Sequence, residues 1–209
     1  VPELPRLRLS SLDPAKLDQE LLRAIAEERR LMPHVHLSLQ SGGDLILKRM
    51  RRRHSRAHAI AVTEKLRELR PGIVFGADLI AGFPTETHAL FTDTLSLVKD
   101  CGLTYLHVFP YSPRANTAAA RMPQVAPAVR NERAACLRDA GAQALSSYLK
   151  TQVGQHAVVL VEQDQRGYSE HFAPVILNEP TAPGSVVTAR IIGATKNELR
   201  AEARTSCVV

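Results

Sequence analysis

The sequence predicts an α/β protein: a set of parallel βα units, followed by a small antiparallel β-barrel. Three observations carry this. Strand-like segments start near residues 6, 35, 73 and 104, about thirty to forty residues apart, the length of a strand plus a returning helix. Each stops abruptly at a polar or glycine-containing turn, as strands do at the carboxyl end of a parallel sheet. After about residue 150 the pattern changes to short alternating strands separated by turn residues. The expected domains are therefore residues 1–150 and 151–209.

Taken in order, Arg6–Ser11 alternates, with Leu7 and Leu9 on one face, and reads as a first strand. Asp13-Pro14 then opens a helix, with Asp as cap and Pro in the first turn. Leu17, Leu21, Leu22 and Ile25 give that helix an apolar stripe. Val35–Leu39 is a second strand, with a helix from about Asp44 past Met50. Ser55 caps a further helix bearing Val62, Leu66 and Leu69, which Pro71-Gly72 ends. Ile73–Ala81 is an apolar third strand containing one acid, Asp78. Gly82-Phe83-Pro84 breaks it, and a helix lined by Phe91, Thr94, Leu95 and Val98 runs to Gly102. Thr104–Phe109 is a fourth strand, closed by Pro110-Tyr111-Ser112-Pro113-Arg114, and a long helix spans about Pro127 to Lys150. Four such units form either a small open sheet or part of a larger barrel.

Beyond residue 150, Ala157–Glu162, His171–Leu177, Ser185–Ala194 and Leu199–Ala203 read as strands. Arg166-Gly167-Tyr168, Pro183-Gly184 and Lys196-Asn197 read as turns. Short antiparallel strands over this length suggest an OB-like barrel. Such barrels bind nucleic acid through loop cations and aromatics, here Arg166, Tyr168, Phe172 and Lys196.

Net charge is +6 and the sequence pI about 9.5. Residues 151–209 carry five basic and six acidic side chains, so the positive excess belongs to the first 150 residues. Lys48, Arg49, Arg51, Arg52, Arg53 and Arg56 have no acid between them, a pattern that suits a polyanion and equally a solvated helix face. No apolar run reaches membrane-span length and no signal peptide is evident at the first residues. The chain starts without Met and close to a strand, as if cut from something longer. Cys101, Cys136 and Cys207 are odd in number and far apart. They suggest no disulfide framework, and cytoplasm is the expected compartment. Cys101 and Cys136 read as core thiols on apolar helix faces.

The strongest site signal is His36-Leu37-Ser38-Leu39-Gln40-Ser41-Gly42-Gly43-Asp44, which ends a strand and opens a cationic helix. Gln40 and Ser41 stand where ligands bind in parallel α/β proteins. Asp78 inside an apolar strand needs a ligand or a partner cation. Tyr111, Ser112 and Arg114 sit on a proline-stiffened loop, where Tyr stacks on a base and Arg holds a phosphate. His34 and His36 share a strand face, but no nearby carboxylate or thiolate completes a metal set, so no metal site is expected.

Five segments taken together resemble the radical S-adenosylmethionine methylthiotransferases. They are Arg6-Leu7-Arg8-Leu9-Ser10-Ser11-Leu12-Asp13-Pro14, the His36–Asp44 run, Met50-Arg51-Arg52-Arg53, Gly82-Phe83-Pro84-Thr85-Glu86-Thr87 and Phe109-Pro110-Tyr111-Ser112-Pro113-Arg114. The final strands resemble the TRAM domain. Within the family, Ser-Ser-Leu-Asp-Pro and Gln-Ser-Gly are similar to the bacterial branch acting on threonylcarbamoyl-adenosine beside the tRNA anticodon. The chain departs from the commoner pattern at Ser38, Thr85 and Ala115.

The resemblance implies a partial (βα) barrel entered at its third strand, then a TRAM barrel. It also implies an earlier domain and a cysteine triad for a 4Fe–4S cluster, both outside this sequence, so the chain alone is expected to be inactive. S-adenosylmethionine, 4Fe–4S clusters, tRNA and a reductant such as flavodoxin or ferredoxin are the implied cofactors and partners. The implied cofactor contacts are Ser11, Gln40, Ser41, Asp78, Phe109 and Tyr111. The implied RNA contacts are Arg51, Arg52, Arg53, Arg114, Arg166, Tyr168, Phe172 and Lys196. Two alternatives stand beside this reading: a non-catalytic RNA-binding fragment, and the sister enzyme that modifies a ribosomal protein.

Overall fold

The computed structural model describes residues 3–203; Cys207 lies outside the described residues. The chain divides into two compact units between Gly141 and Ala142, a point inside the last helix.

The first unit is built on three parallel strands, β1 (His34–Gln40), β2 (Val74–Ala81) and β3 (Leu103–Pro110), in the order β1-β2-β3. Helices α1 (Gln19–Glu27), α2 (Asp44–Arg49), α3 (Arg56–Leu69), α4 (His88–Asp100) and the first part of α5 (Pro127–Thr151) accompany these strands. Alternation along each strand gives the sheet two unlike faces. Val35, Leu37, Leu39, Phe75, Ala77 and Leu79 are buried in one cluster with Ile25, Leu66, Phe91, Leu97 and Leu137 from the helices. The opposite face carries His34, His36, Asp78, Tyr105 and His107, whose rings and carboxylate touch one another.

The helices start where short polar side chains cap them. Asp18 Oδ1 accepts from the Leu21 amide, Ser55 Oγ from His58, and Thr87 Oγ1 from Leu90. Each cap satisfies one otherwise orphaned amide. The helix expected from Asp13 is instead a single 3₁₀ turn, Pro14–Lys16, and α1 restarts at the Asp18 cap.

Arg6–Ser11 is not a regular strand. Isolated parallel bridges join Leu7 to Leu31, just before β1, and Leu12, just after the segment, to Leu37 within β1. The Leu12 amide donates to His36 O, and the Ser38 amide to Leu12 O, both at 2.8 Å. The two bridges are five residues apart with no ladder between them, so the segment is an edge cover rather than a fourth ladder strand.

The second unit contains β4 (His156–Gln163), β5 (Arg166–Tyr168), β6 (Pro174–Leu177), β7 (Val186–Ala194) and β8 (Leu199–Ala203). They close into a barrel in the order β4-β5-β6-β8-β7. Every pairing is antiparallel except β6 with β8, the strand order of an OB barrel. Val159, Val161, Val175, Leu177, Ile191 and Leu199 fill it. Two sequence expectations are corrected. Arg166-Gly167-Tyr168 is a strand, not a turn, and the following strand begins at Pro174 rather than His171. Gly167 makes that strand possible, because a methyl there would sit 2.1 Å from the Leu160 carbonyl oxygen. No helix among the described residues is long and apolar enough to cross a membrane.

Candidate functional site

The carboxyl ends of the three parallel strands meet in one rim. At the end of β1, Leu37 pairs with Ala77 but Gln40 pairs with Leu79, so β1 carries one extra residue there. This bulge holds Gln40 at φ 68°, a conformation that non-glycine residues adopt rarely and mostly under structural constraint. Ser41 turns inward and is 1% exposed. Its Oγ lies 3.2 Å from Thr94 Oγ1 and accepts from the Gly43 amide. The Gly42 amide donates to the same Thr94 hydroxyl. Ser41 therefore pins the turn to α4 rather than offering its hydroxyl to a ligand.

At the end of β2, Glu86 closes the Gly82-Phe83-Pro84-Thr85 loop. Its Oε2 accepts from the Gly82 amide at 2.9 Å and from Arg133 Nη1 at 2.8 Å. Burial pushes the Glu86 carboxyl above the usual range, against the pull of Gly82 and Arg133. Thr85 sits at φ 69° and takes a hydrogen bond from Arg49.

At the end of β3, the Tyr111 amide donates to Ala81 O and Arg130 Nη1 holds Tyr111 O. The Tyr111 ring packs edge-on against Phe83 at 5.2 Å, and its hydroxyl is buried with no hydrogen-bond partner among the described residues. Phe109 is half exposed. Beside the strand ends of β1 and β2 lies a cleft of about 520 Å³ lined by Gln40, Arg49, Arg51, Arg52, Ile80 and Phe83.

Of the six expected cofactor contacts, Gln40, Phe109 and Tyr111 share this rim. Ser11 lies next to Leu12, which bridges Leu37 at the middle of β1, and is exposed. Asp78 also sits mid-strand, paired with His107 in register and 3.0 Å from His36 Nε2.

The cations following β1 divide by role. Arg52 donates to Ser38 O at 2.7 Å and pairs with Asp13 at 3.3 Å. Arg56 donates to Asp93 O at 2.6 Å and pairs with Asp100. Lys48, Arg51, Arg53 and, on the β3 loop, Arg114 are exposed.

His54 is buried between these groups. Its Nε2 donates to Leu39 O at 3.2 Å, and burial is the main cause that lowers its pKa below the ordinary 6.5. The unfolded chain therefore takes up the proton first. Stability is complete above about pH 6.5 and falls as pH drops toward the lowered folded value. Urea midpoints taken from about pH 7.5 down to about 5.5 should decline, and His54→Gln should flatten that decline. An unchanged slope in the variant would assign the acid sensitivity elsewhere.

In the second unit, Tyr168 and Phe172 stack at 4.9 Å with an interplanar angle of 19°. Arg166 stands beside them, two-thirds exposed and 3.8 Å from Glu198, and Lys196 is exposed. The cysteines behave differently from one another. Cys101 is buried, and burial raises its pKa, as for an inert core thiol. Cys136 is exposed on α5, which corrects its expected core placement.

Sequence reading missed Thr94, Glu86, Arg133 and the joining of His36 to Asp78 and His107. Glu86 had a signal, its place four residues after Gly82. The other three become visible only when separate elements meet.

The radical SAM superfamily profile matches residues 6–98. Those residues belong to the radical SAM superfamily. Over 193 residues the chain is 50% identical to threonylcarbamoyladenosine tRNA methylthiotransferase MtaB of Rickettsia prowazekii, covering 92% of the chain and 46% of the relative. Over 206 residues it is 35% identical to the tRNA-2-methylthio-N(6)-dimethylallyladenosine synthase of Bartonella bacilliformis, covering 95% and 45%. The chain thus spans about half the length of the curated relatives it matches. The Escherichia coli coproporphyrinogen III oxidase HemN, described as a radical SAM enzyme, superposes with a TM-score of 0.52 at 15% identity. That likeness covers 93% of this chain and 50% of HemN, and it shows the shared fold.

Proposed function

We propose that the chain is the C-terminal portion of a radical SAM methylthiotransferase. In this reading it modifies C2 of the threonylcarbamoyl-adenosine beside the tRNA anticodon, in the cytoplasm and with a reductant such as flavodoxin or ferredoxin. The observation that carries the reading is the 50% identity to MtaB across 92% of the chain, against 35% to the dimethylallyladenosine synthase.

The rim fits the nucleoside part of S-adenosylmethionine. It offers an unpartnered Tyr111 hydroxyl, the polar Gln40 held on its bulge, and the Phe83 and Phe109 rings. When bound in the complete protein, S-adenosylmethionine supplies the radical precursor. Here Gln40 and Tyr111 would hydrogen-bond it, and the aromatic rings would flank its adenine. The residues do not fit the cluster itself. An iron–sulfur cluster needs grouped thiolates, whereas Cys101 is buried and Cys136 is exposed on another helix, and neither belongs to a group of potential metal ligands among the described residues. The cluster ligands in this proposal belong to another part of the complete protein, and no chemical step is assigned to this chain alone.

The chain's own task is then to hold tRNA. Arg51, Arg53 and Arg114 would meet phosphates, and the TRAM-like barrel would present the Tyr168–Phe172 stack to an unpaired base with Arg166 and Lys196 beside it. Arg52, one of the expected RNA contacts, is instead committed to Ser38 O and Asp13.

Anisotropy titration of an anticodon stem-loop tests this. Arg51→Ala with Arg53→Ala should lower the slope of log affinity against log salt by about 1 to 2, since each lost phosphate contact removes about 0.7–0.9. Tyr168→Ala should cost about 1–3 kcal/mol of binding. Arg52→Ala should lower thermal stability. Unchanged affinity and slope in the double variant would leave the flank a solvated face.

A further inference from the structure

We propose that His36, Asp78 and His107 form a binding site for a divalent first-row transition ion, Zn²⁺ foremost, on the face of the parallel sheet opposite its apolar core.

The three residues come from three adjacent strands, β1, β2 and β3, and occupy the face opposite the apolar cluster. Asp78 is in direct register with His107. Asp78 Oδ1 lies 3.0 Å from His36 Nε2 and 3.3 Å from His107 Nδ1, and all three ligand atoms lie within 4.8 Å of one another. A tetrahedral Zn²⁺ with bonds of about 2.0–2.2 Å holds neighbouring ligand atoms roughly 3.3 Å apart. Two edges of the triangle are already close to that spacing. The remaining adjustment falls on the His107 ring, which is 60% exposed and can rotate.

The neighbouring backbone leaves room for this arrangement. A methyl at Gly76 would lie 2.5 Å from His36 Nδ1. Glycine at this strand position is therefore what lets the His36 ring lie over β2 and reach Asp78. Two imidazoles and one carboxylate are the ligand types of open three-coordinate zinc and iron sites, which keep a free position for water or substrate. The Asp78 side chain is 20% exposed and the His107 side chain 60%, so the free position would face outward and the ion has an entry path. The competing account is a plain hydrogen-bonded His–Asp–His chain that takes up no metal.

The experiment titrates the chelator-treated chain with Zn²⁺ by calorimetry, and in parallel with Co²⁺ by visible absorption. The proposal expects one saturable equivalent, ligand-field bands of a tetrahedral or five-coordinate nitrogen–oxygen site, and a Tm that rises with Zn²⁺ concentration. His107→Ala and Asp78→Asn should each weaken binding by more than about 100-fold, beyond the 10–100-fold of an outer-sphere change. His88→Ala, at the exposed start of α4, should leave binding unchanged. Because His107 is exposed, its variant keeps the fold, which circular dichroism verifies. Uptake of no saturable equivalent would overturn the site, as would full binding retained in both ligand variants, or equal loss in His88→Ala.

Discussion

Replacing Glu86 with alanine is expected to destabilise the first unit by about 3–5 kcal/mol. The Glu86 side chain is fully buried and Arg133 is 11% exposed. Removing the carboxylate strands the guanidinium in a site with little water. It also frees the Gly82 amide, which Glu86 Oε2 now satisfies at 2.9 Å. A buried charge without its partner costs far more than the intact pair contributes. Glu86→Gln separates the two effects: an amide oxygen still accepts from Gly82, so the loss should be smaller than in the alanine variant. Equilibrium unfolding in urea gives both numbers. Equal losses in the two variants would mean that the charge on Glu86 carries the whole effect and that the acceptor kept for the Gly82 amide contributes nothing.

Gly42→Ala should cost about 3 kcal/mol, for a reason of space rather than charge. A methyl at Gly42 would lie 2.4 Å from the Asp93 carbonyl oxygen and 2.7 Å from Thr94 Cα. Both atoms are backbone in the middle of α4, so no side-chain rotation can relieve the contact. Moving α4 away would also break the bonds of the Gly42 amide and the Ser41 hydroxyl with Thr94. The strand end carrying Gln40 would lose its anchor. Gly193→Ala provides the contrast, because nothing lies within 4 Å of the added methyl, and its stability should change by no more than about 0.5 kcal/mol. Thermal unfolding of both variants checks the pair. A Gly42→Ala protein as stable as the parent would show that the turn and α4 are not in tight contact.

These two residues show what a sequence can and cannot reveal. The βα rhythm was legible because alternation and helical spacing are local, and so β1, β2, β3 and the cap at Ser55 follow from neighbours in the chain. The edge segment was not. Arg6–Ser11 alternates like a strand, but within it the ladder-type contact is a single isolated bridge at Leu7, and where a partner strand comes close is set by the sheet. Gly167 read as a turn because glycine usually marks one. Its actual cause is the close approach of Leu160, a residue on another strand. The cations after β1 looked equivalent in the sequence, whereas Asp13 and Asp100 separate Arg52 and Arg56 from the exposed Arg51 and Arg53. His36, Asp78 and His107 are scattered over seventy residues, and only the parallel register brings them together.

The most direct test of the functional account is the nucleoside made by the complete protein that contains this chain. It would be expressed in a bacterial strain lacking its own tRNA methylthiotransferases, and digested tRNA would be read by liquid chromatography and mass spectrometry. The account predicts that the methylthio derivative of threonylcarbamoyl-adenosine appears, and that it falls in the Tyr168→Ala variant while that protein remains folded. Appearance of the methylthio group only on dimethylallyl-adenosine, or on neither nucleoside, would contradict it.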